Sequence, residues 1–335
     1  MSSTEDGSEP SVNKSALLLS VVQNMSYVSA VAQFAVASVA MMVGNKQAVT
    51  ALPLPCTVVI IQCVGTLLLL GFCRQHLKPI EAGTAKHWLP IAVLFALMIF
   101  TSMKTFVYVG VSTVIIMRNV GAIVTTVVEY YVRGVTVNRR IVASEVAIVV
   151  GAVMYGWGAV DFNWTGLFWL LVNVGAQVAY DVTVKKLTDV HTEIRDMSKY
   201  TMSLYNNALA VPLVGAVLVA QGEHAALGDS LAAVTPGGWG VVAVTCFFGF
   251  LISTSGFGLQ KLVSATTFLV INNLTKFFNI LLGVLFMNDK LVGMTDAAGC
   301  VLALGAGFWY SYESMLHADS LKKKQQQAVK GGKAH

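Results

Sequence analysis

The sequence contains few charged residues. Asp, Glu, Lys and Arg make up 12% of its 335 residues, and 56% of the residues are hydrophobic. In a typical soluble domain, about 25% of the residues are charged. This composition excludes an ordinary water-soluble protein and predicts a polytopic membrane protein. The net charge of +5 does not indicate nucleic-acid binding, because most basic residues lie in short loops and in the C-terminal tail.

Motifs of enzymes and of metal or cofactor sites are also missing. The chain has no HExxH, GxSxG, Walker loop or CxxC, and no GxGxxG that opens a helix after a strand. The five cysteines lie in apolar stretches without metal-ligand spacing, so we expect free thiols packed between helices. The six histidines lie in loops or at the ends of apolar stretches, where none is a buried general base. We therefore expect no catalytic residue, no metal and no cofactor.

Apolar stretches long enough to cross a bilayer occur ten times along the chain. A transmembrane helix takes roughly 17–25 residues of low polarity. The stretches are 26–49, 54–73, 88–109, 112–132, 141–159, 164–184, 200–220, 238–259, 264–286 and 294–316. The sequence thus predicts an all-α polytopic membrane protein with ten transmembrane helices.

The distribution of basic residues orients these helices. If both termini are cytosolic, most of the 22 Lys and Arg residues face the cytosol, whereas the opposite loops hold Lys290 and several acids. This asymmetry follows the positive-inside rule. We assign residues 1–25 to a cytosolic N-terminal tail with an interfacial helix over 16–25, and residues 317–335 to a basic cytosolic C-terminal tail.

Ten helices divide into two five-helix repeats, 26–159 and 160–316. Because five is odd, the second repeat enters the membrane in the opposite orientation, which is an inverted-repeat topology. Such repeats place a substrate site near the bilayer midplane, at the interface of the two halves. Helices four and nine are then counterparts, and both carry a polar interruption, Arg118-Asn119 and Asn272-Asn273.

Four basic residues lie inside predicted spans, namely Lys46, Lys104, Arg118 and Lys276. A charge at the centre of a spanning helix costs on the order of 2.5–3.5 kcal/mol, so each is either functional or extends toward an interface. Lys46, Lys104 and Arg118 lie near the lumenal ends of their helices, which leaves both interpretations open. Lys276 lies deeper, at roughly 18 Å by the helical rise, so we expect a functional role for it.

Adjacent polar residues interrupt the seventh stretch at Tyr205, Asn206 and Asn207. Two neighbouring amides on a helix point about 100° apart and cannot share one partner. They either bond to other helices or bind a polar solute. An amide pair offers donors and acceptors that suit the edge of a nucleobase.

The ninth stretch carries a second polar stripe, in which Asn272, Thr275 and Lys276 share one helix face. A lysine among hydroxyls and amides suits a phosphate. Ser253 and Ser255 on helix eight either add hydroxyls to this site or pack helices closely together with neighbouring glycines. The repeat of Gly299, Ala303 and Gly307 on helix ten indicates packing against another helix or a second protomer, which leaves a homodimer open. Glu129, Glu145, Asp181 and Glu313 lie near cytosolic helix ends, where we expect them to neutralise nearby bases.

These features resemble the nucleotide-sugar transporters of the drug/metabolite transporter superfamily, specifically the GDP-mannose type of the Golgi. The resemblance extends over about residues 26 to 316 and is most specific at Asn45-Lys46, Met117-Arg118-Asn119, Leu204 to Asn207 and Thr266 to Lys276. The family's Phe-Tyr-Asn-Asn motif is associated with guanine, which carries over to Tyr205, Asn206 and Asn207. Its Gly-Ala-Leu-Asn-Lys motif is associated with the sugar-phosphate end, and here Leu274 and Lys276 match it.

The resemblance implies roles for further residues. Asn272, Asn273, Thr275 and Lys276 would contact the sugar and phosphates, and Ser253 and Ser255 the ribose or a phosphate. Lys46 and Arg118 would supply positive potential on the lumenal side. Asn272, Asn273 and Thr275 stand where the family has Gly, Ala and Asn, so guanine recognition is better supported than the identity of the sugar.

The expected activity is exchange of a GDP-sugar for GMP by alternating access in the Golgi membrane, with membrane lipid as the other partner. GDP-mannose is the first choice, and GDP-fucose, GDP-arabinose or a UDP-sugar stays open. A membrane glycosyltransferase would need a catalytic acid or a carboxylate cluster for a metal, and no carboxylates here have that spacing. An organic-cation exporter would place an acid in the cavity, whereas the deep charges of this chain are positive.

Overall fold

The computed structural model describes residues 14–110, 113–114, 116, 118, 121–133, 138–158, 163–262, 271–272, 275 and 293–331. Regular structure in these residues is helical throughout. The helices are α1 (Lys14–Ala51), α2 (Pro55–Leu70), α3 (Ala82–Tyr108), α4 (Gly121–Arg133), α5 (Arg139–Gly158), α6 (Trp164–Val190), α7 (Thr192–Arg195), α8 (Lys199–Ala220), α9 (Glu223–Ala233), α10 (Pro236–Leu262) and α11 (Met294–Gly331). A 3-10 helix, Gly71–His76, follows α2.

Six helical segments in this part of the chain are long and apolar enough to cross a membrane. They are Val28–Ala51, Pro55–His76, Ala82–Tyr108, Trp164–Thr188, Lys199–Ala220 and Pro236–Leu262. Each overlaps one of the predicted spans, which confirms a polytopic helical membrane protein. Helices α4, α5 and α11 coincide with three further predicted spans, and most of 264–286 lies outside the described residues. The count of ten spans stays a prediction.

The N-terminal region differs from the prediction. A separate interfacial helix over 16–25 was expected, but α1 runs without a break from Lys14 to Ala51. The segment holds no proline and its first glycine is Gly44, so Gln23 and Asn24 alone do not interrupt it. The helix ends before Pro53, and Pro55 occupies the first turn of α2, where its missing N–H costs nothing. Helices α7 and α9 lie in loops for which no helix was predicted.

Local side chains cap two of the central helices. The Asn163 side-chain oxygen accepts from the N–H groups of Thr165 and Gly166 at 2.9 and 3.2 Å and thereby begins α6. The Ser198 hydroxyl accepts from the Thr201 N–H at 3.1 Å at the start of α8. Such caps satisfy backbone donors that a helix leaves unpaired.

The helices pack in a pattern with two equivalent halves. Helix α1 packs along α10, α3 along α6, α2 along both α8 and α10, α3 also along α8, and α5 along α11. The two halves can be exchanged by swapping α1 with α6, α2 with α8, α3 with α10 and α5 with α11. This exchange turns the pair α1–α10 into α6–α3 and the pair α2–α10 into α8–α3. The pairs α2–α8 and α5–α11 are unchanged. Helices α2 and α8 lie at the centre of this arrangement.

Small residues allow α5 and α11 to approach closely. A Cβ atom added to Gly151 would lie 2.5 Å from the Ala303 nitrogen and 2.8 Å from the Gly299 oxygen. One added to Gly299 would lie 2.5 Å from the Tyr155 nitrogen. Backbone contact of this kind admits only glycine. The predicted packing role of Gly299 and Ala303 is therefore fulfilled by a helix of the same chain.

Candidate functional site

A central cavity of about 340 Å³ lies between α1, α2, α3, α6, α8 and α10. Its volume is at the lower end of the ~300–1,000 Å³ typical of small-molecule sites. Apolar and aromatic side chains form much of the wall, including Phe34, Phe95, Phe106 and Phe257. Polar side chains also face the cavity, namely Ser38, Asn45, Gln62, Thr66, Ser102, Arg118, Gln177, Tyr180, Asp181, Asn206, Asn207, Ser253, Gln260 and Asn272.

Arg118 lies in the cavity wall and is held by neutral acceptors. Its Nη2 donates to the Asn173 Oδ1 at 2.7 Å and to the Ser102 Oγ at 2.9 Å, and its Nε donates to the Asn173 Oδ1 at 3.1 Å. In the described part of the chain, no carboxylate forms an ion pair with this guanidinium. These contacts fix the side chain between α3 and α6. Arg118 therefore gives the cavity a positive charge.

Asn173 orients this arginine and is itself fixed from the other side. Its Nδ2 donates to the Met98 carbonyl oxygen at 2.7 Å and to the Thr101 Oγ1 at 3.0 Å. The amide orientation is thus determined, and its oxygen is left for the guanidinium. Sequence reasoning missed Asn173 and Ser102. The available signal was an amide within the apolar stretch that forms α6, where Gln177 is the other, since a buried amide needs partners.

Asn206 is engaged at both ends of its amide. Its Oδ1 accepts from the Trp88 Nε1 at 2.7 Å, and its Nδ2 donates to the Tyr180 hydroxyl at 2.9 Å. Asn206 is 1% exposed and Trp88 is 0% exposed. The interpretation of this residue as a link between helices is therefore the one that the contacts support.

Asn207 has a different environment from its neighbour. Its Nδ2 donates to the Ser203 carbonyl oxygen at 2.8 Å, one turn earlier on α8. No group in the described residues donates to its side-chain oxygen, and the residue lines the cavity. Asn207 therefore offers an acceptor to a solute.

Tyr205 lies outside the cavity lining, so the expected contact with guanine is not supported. Its hydroxyl accepts from the Glu81 N–H at 2.9 Å and donates to the Pro79 carbonyl oxygen at 3.4 Å. The ring is 2% exposed and packs beside Trp88. Tyr205 connects α8 to the loop that precedes α3, because its position on the helix points it away from Asn207.

The two serines on α10 also separate. Ser253 lines the cavity and shares a 2.6 Å hydrogen bond with the Ser203 hydroxyl. Ser255 donates to the Leu251 carbonyl oxygen of its own helix at 2.5 Å and is absent from the lining. Ser253 is available to a ligand, whereas Ser255 has the ordinary back-bond of a helical serine.

Lys46 binds backbone and does not face the cavity. Its Nζ donates to the carbonyl oxygens of Phe106 and Val109 at 2.6 and 3.1 Å. These are among the last carbonyls of α3, which a cation stabilises. On the ninth predicted span, Asn272 lines the cavity and Thr275 donates to the Asn272 carbonyl oxygen at 2.7 Å. Asn273 and Lys276 lie outside the described residues.

A second buried amide, Gln62 on α2, was missed by sequence reasoning. Its Nε2 donates to the Asn45 Oδ1 and to the Thr245 Oγ1, both at 3.0 Å. Gln62 and Asn45 line the cavity. The signal was a lone amide in the apolar stretch that forms α2, and it could have been found by asking where its hydrogen bonds go.

The acidic residues do not share one role. Glu145 is buried, and its Oε1 has no hydrogen-bond partner in the described residues, so the expected neutralisation of a base is not supported there. Glu313 lies 3.7 Å from the Arg140 guanidinium, which agrees with the expected local neutralisation. Asp181 lines the cavity instead. Among the described residues, no group of three or more His, Cys, Asp or Glu could hold a metal ion.

The chain is similar to several transporters of GDP-sugars. It is 28% identical to GDP-fucose transporter 1 of Arabidopsis thaliana over 314 residues, which covers 90% of each chain. It is 24% identical to the GDP-mannose transporter GONST1 of the same plant over 258 residues, covering 75% of this chain and 77% of the relative. GDP-mannose transporter 2 of Vanderwaltozyma polyspora is 26% identical over 275 residues, covering 74% of this chain and 79% of that protein.

The fold resembles that of a solved crystal structure. That structure has a TM-score of 0.53 and 14% sequence identity, and it covers 85% of this chain and 96% of its own. Residues 26–311 match the Triose-phosphate Transporter family, which confirms the expected resemblance to the drug/metabolite transporter superfamily. The chain therefore belongs to the Triose-phosphate Transporter family.

Proposed function

We propose that this protein is a nucleotide-sugar transporter that carries a GDP-sugar, most simply GDP-mannose, into the Golgi lumen in exchange for GMP. The relatives named as GDP-mannose and GDP-fucose transporters support the guanine nucleotide over other bases. They leave the sugar open between mannose and fucose. Lipid and exchanged nucleotides are the only partners that this activity needs.

The observation that carries the proposal is the cation in the cavity wall. Arg118 is bound by an amide and a hydroxyl, which position the guanidinium without cancelling its charge. A phosphate entering the cavity would supply the missing negative charge and could accept from the planar guanidinium. Arg118 therefore favours an anionic group beside it. Because Asp181 also lines the cavity, the choice of a GDP-sugar over an organic cation rests on the named relatives as well.

The exchangeable packing pattern supports alternating access. Pairs of helices that map onto each other when the halves are swapped are what two inverted five-helix repeats would produce. In such transporters, one half rocks against the other around a central site. We propose ten transmembrane helices with both termini cytosolic, as the positive-inside asymmetry of the loops requires.

The ninth span would complete the site. Asn272 already faces the cavity, and Lys276 lies one helical turn further along the sequence. We propose that Lys276 joins Arg118 at the phosphates and that Asn272 and Asn273 contact the sugar. Replacement of Lys276 by Ala should abolish stabilisation of the purified protein by GMP without loss of membrane expression. Lys276→Arg should also transport poorly, since a planar guanidinium group has a different size and shape from an ammonium group.

The test is uptake by purified protein in liposomes preloaded with GMP. Labelled GDP-mannose should enter, and uptake should stop when the liposomes hold no nucleotide. External GMP, GDP-mannose and GDP-fucose should compete, whereas UDP-galactose and CMP-sialate should not. Stronger competition by uridine or cytidine compounds would refute the guanine assignment.

Triose phosphate, used as a further competitor, distinguishes nucleotide-sugar transport from transport of any small phosphate compound. Triose phosphate carries a phosphate without a base, so it would satisfy Arg118 but not Asn207 of α8. If triose phosphate competes as well as GMP, the cavity selects phosphate alone and the nucleotide-sugar proposal fails. Protein-free liposomes and the variant Arg118→Gln are the controls, and the variant should lose uptake because the cation is removed.

A further inference from the structure

The orientation of one buried amide decides what a neighbouring hydroxyl can do. The Trp88 indole N–H is 2.7 Å from the Asn206 Oδ1, and an indole nitrogen can only donate. The acceptor in this contact must therefore be the amide oxygen, which places the NH₂ group of Asn206 toward Tyr180. Amide orientations are normally ambiguous, but an obligatory donor removes the ambiguity.

Tyr180 is consequently the acceptor of its hydrogen bond with Asn206. The Asn206 Nδ2 lies 2.9 Å from the Tyr180 hydroxyl oxygen, and the hydroxyl hydrogen must point elsewhere. No group within the described ranges accepts this hydrogen, and Tyr180 lines the cavity. Since Tyr180 is 8% exposed, an unused donor here would be costly unless a solute or water accepts from it.

Tyr180 lies on the same helix as Asn173, the residue that holds Arg118, and both Tyr180 and Arg118 line the cavity. Asn173, which holds Arg118, precedes Tyr180 by seven residues on α6, and this separation is roughly 10 Å along the helix axis. Asn207, whose side-chain oxygen accepts from no described residue, follows Asn206 on α8. A phosphate at Arg118 would thus place the base of the same nucleotide near Tyr180 and Asn207.

We propose that Tyr180 donates a hydrogen bond to the C6 carbonyl oxygen of guanine, and that Asn206 is a positioning residue that keeps the hydroxyl in this orientation. This assignment rests on the proposed function. Guanine presents an acceptor at C6, whereas adenine presents an NH₂ donor there. A hydroxyl that can only donate would form a hydrogen bond with guanine. With adenine, two donors would face each other without an acceptor, so the site would select against adenine.

Tyr180→Phe tests the donor while it keeps the ring. The variant should bind GMP about tenfold more weakly, as expected for one buried hydrogen bond. It should weaken 7-deaza-GMP equally, because that nucleotide lacks N7 but keeps the C6 oxygen. Binding of 2-aminopurine riboside 5′-monophosphate, which lacks the C6 oxygen, should not change. Tyr155→Phe is the matched control, since the Tyr155 hydroxyl pairs with Thr113 and lies outside the cavity lining.

Asn206→Asp tests the positioning role. A carboxylate only accepts, so it would take hydrogen bonds from both Trp88 and Tyr180 and would reverse the tyrosine hydroxyl. The variant should then favour 2,6-diaminopurine riboside 5′-monophosphate, which has an NH₂ group at C6, over GMP. The two nucleotides carry the same charge, so repulsion by the new carboxylate cancels in their ratio. A merely structural role for Asn206 would leave the ratio unchanged.

The results for Tyr180→Phe show whether the Tyr180 hydroxyl contacts guanine, another part of the nucleotide, or no ligand. Equal losses for all three nucleotides in Tyr180→Phe would mean that the hydroxyl contacts ribose or phosphate, and unchanged GMP binding would mean that no ligand uses it. Either result overturns the Tyr180 assignment and leaves the proposed function standing. A wild-type protein that neither exchanges GDP-sugars nor binds GMP overturns both. Thermal stabilisation of purified protein by each nucleotide provides the affinities, and liposome exchange provides the activity.

Discussion

Helices α2 and α8 occupy equivalent places in the two halves, and each carries one buried amide that connects two neighbours. On α2, Gln62 joins Asn45 of α1 to Thr245 of α10. On α8, Asn206 joins Tyr180 of α6 to Trp88 of α3. Exchange of the halves maps α1 onto α6 and α10 onto α3, so the two bridges are counterparts.

The two bridges leave different groups for the cavity. Gln62 uses its NH₂ group for both contacts, and no described residue donates to its carbonyl oxygen. Asn206 uses its oxygen and its nitrogen, and the hydroxyl of Tyr180 is what remains. The scaffold is thus symmetric and its chemistry is not. A ligand with a base at one end and a phosphate at the other requires this asymmetry.

The same contrast exists where the two helices begin. The Glu223 carboxylate, at the start of α9, accepts from the N–H groups of Cys56 and Thr57 at 3.1 and 3.2 Å and so caps α2. It also accepts from the Thr57 hydroxyl at 3.3 Å. Glu223 follows Gly222, which has a φ of 73° that favours glycine. The loop after α8 therefore closes over the first turn of α2 with a charged group.

The start of α8 is closed by the loop after α2, with neutral groups. The Ser198 hydroxyl donates to the His76 carbonyl oxygen at 2.8 Å. The Lys78 N–H donates to the Thr201 Oγ1 at 3.1 Å. Each central helix thus begins beneath the loop that follows its counterpart. We expect the charged closure to be the stronger of the two.

The largest expected effect is the loss of the charged cap. Glu223→Ala leaves two buried N–H groups at the start of α2 without an acceptor and should lower the free energy of unfolding by about 2–3 kcal/mol, since hydrogen bonds to charged groups are the stronger kind. Thermal unfolding in detergent measures the change. Glu223→Gln keeps one acceptor oxygen and should lose less. An alanine variant that melts like the wild type would show that the cap contributes nothing.

Loss of the Asn206 bridge on α8 should have the second-largest effect on the free energy of unfolding. Asn206→Leu removes the acceptor that the described residues provide for the buried Trp88 N–H, and should cost about 2 kcal/mol because a buried donor is left unpaired. The double variant Trp88→Phe with Asn206→Leu should recover part of this loss. Recovery measured by thermal unfolding would identify the unpaired indole as the cause, and its absence would assign the cost to packing.

Loss of the Gln62 bridge on α2 should lower the free energy of unfolding by less than loss of the Asn206 bridge. Gln62→Leu should cost about 1 kcal/mol, the net value of ordinary neutral hydrogen bonds, because Thr245 still donates to the Val242 carbonyl oxygen and Asn45 faces the cavity. The comparison with Asn206→Leu under identical conditions sharpens the difference between the halves. Equal melting temperatures for the two variants would contradict the expected difference between the two bridges.

The smallest expected effect belongs to the neutral cap. Ser198→Ala should cost about 0.5–1 kcal/mol, as is usual for loss of a serine cap. Ser198→Asp should restore only part of the stability, since a carboxylate accepts from the Thr201 N–H and suits a helix N-terminus but cannot donate to the His76 carbonyl oxygen. A loss in Ser198→Ala as large as in Glu223→Ala would contradict the ranking of the two closures.

The helices could be predicted because of what the membrane excludes. Within lipid, every backbone N–H and C=O must find a partner in its own segment, so a long apolar stretch becomes a helix. The six described spanning helices therefore coincide with predicted stretches, and Pro53 and Pro55 mark a predictable break. The continuous start of α1 was missed, because Gln23 and Asn24 are polar but do not break a helix.

The polar residues were found from sequence only in part. Arg118, Asn206, Asn207 and Ser253 were identified as conspicuous charges, amides or hydroxyls in apolar stretches, and all four line the cavity. Ser255 and Tyr205 were grouped with them by proximity in the chain, yet neither lines it. Neighbours on a helix point in different directions, so adjacency does not give a common site.

The sequence by itself determined that this chain is a helical membrane protein with anion-attracting charges among its helices. Only the tertiary structure decided which of two adjacent amides bonds to other helices and which bonds within its own helix. Asn206 is occupied by partners 118 and 26 residues away in the chain, and Asn207 bonds within its own helix. The reason is that a hydrogen bond depends on the donors and acceptors that folding brings within about 3 Å of each other. No local pattern in the sequence specifies them.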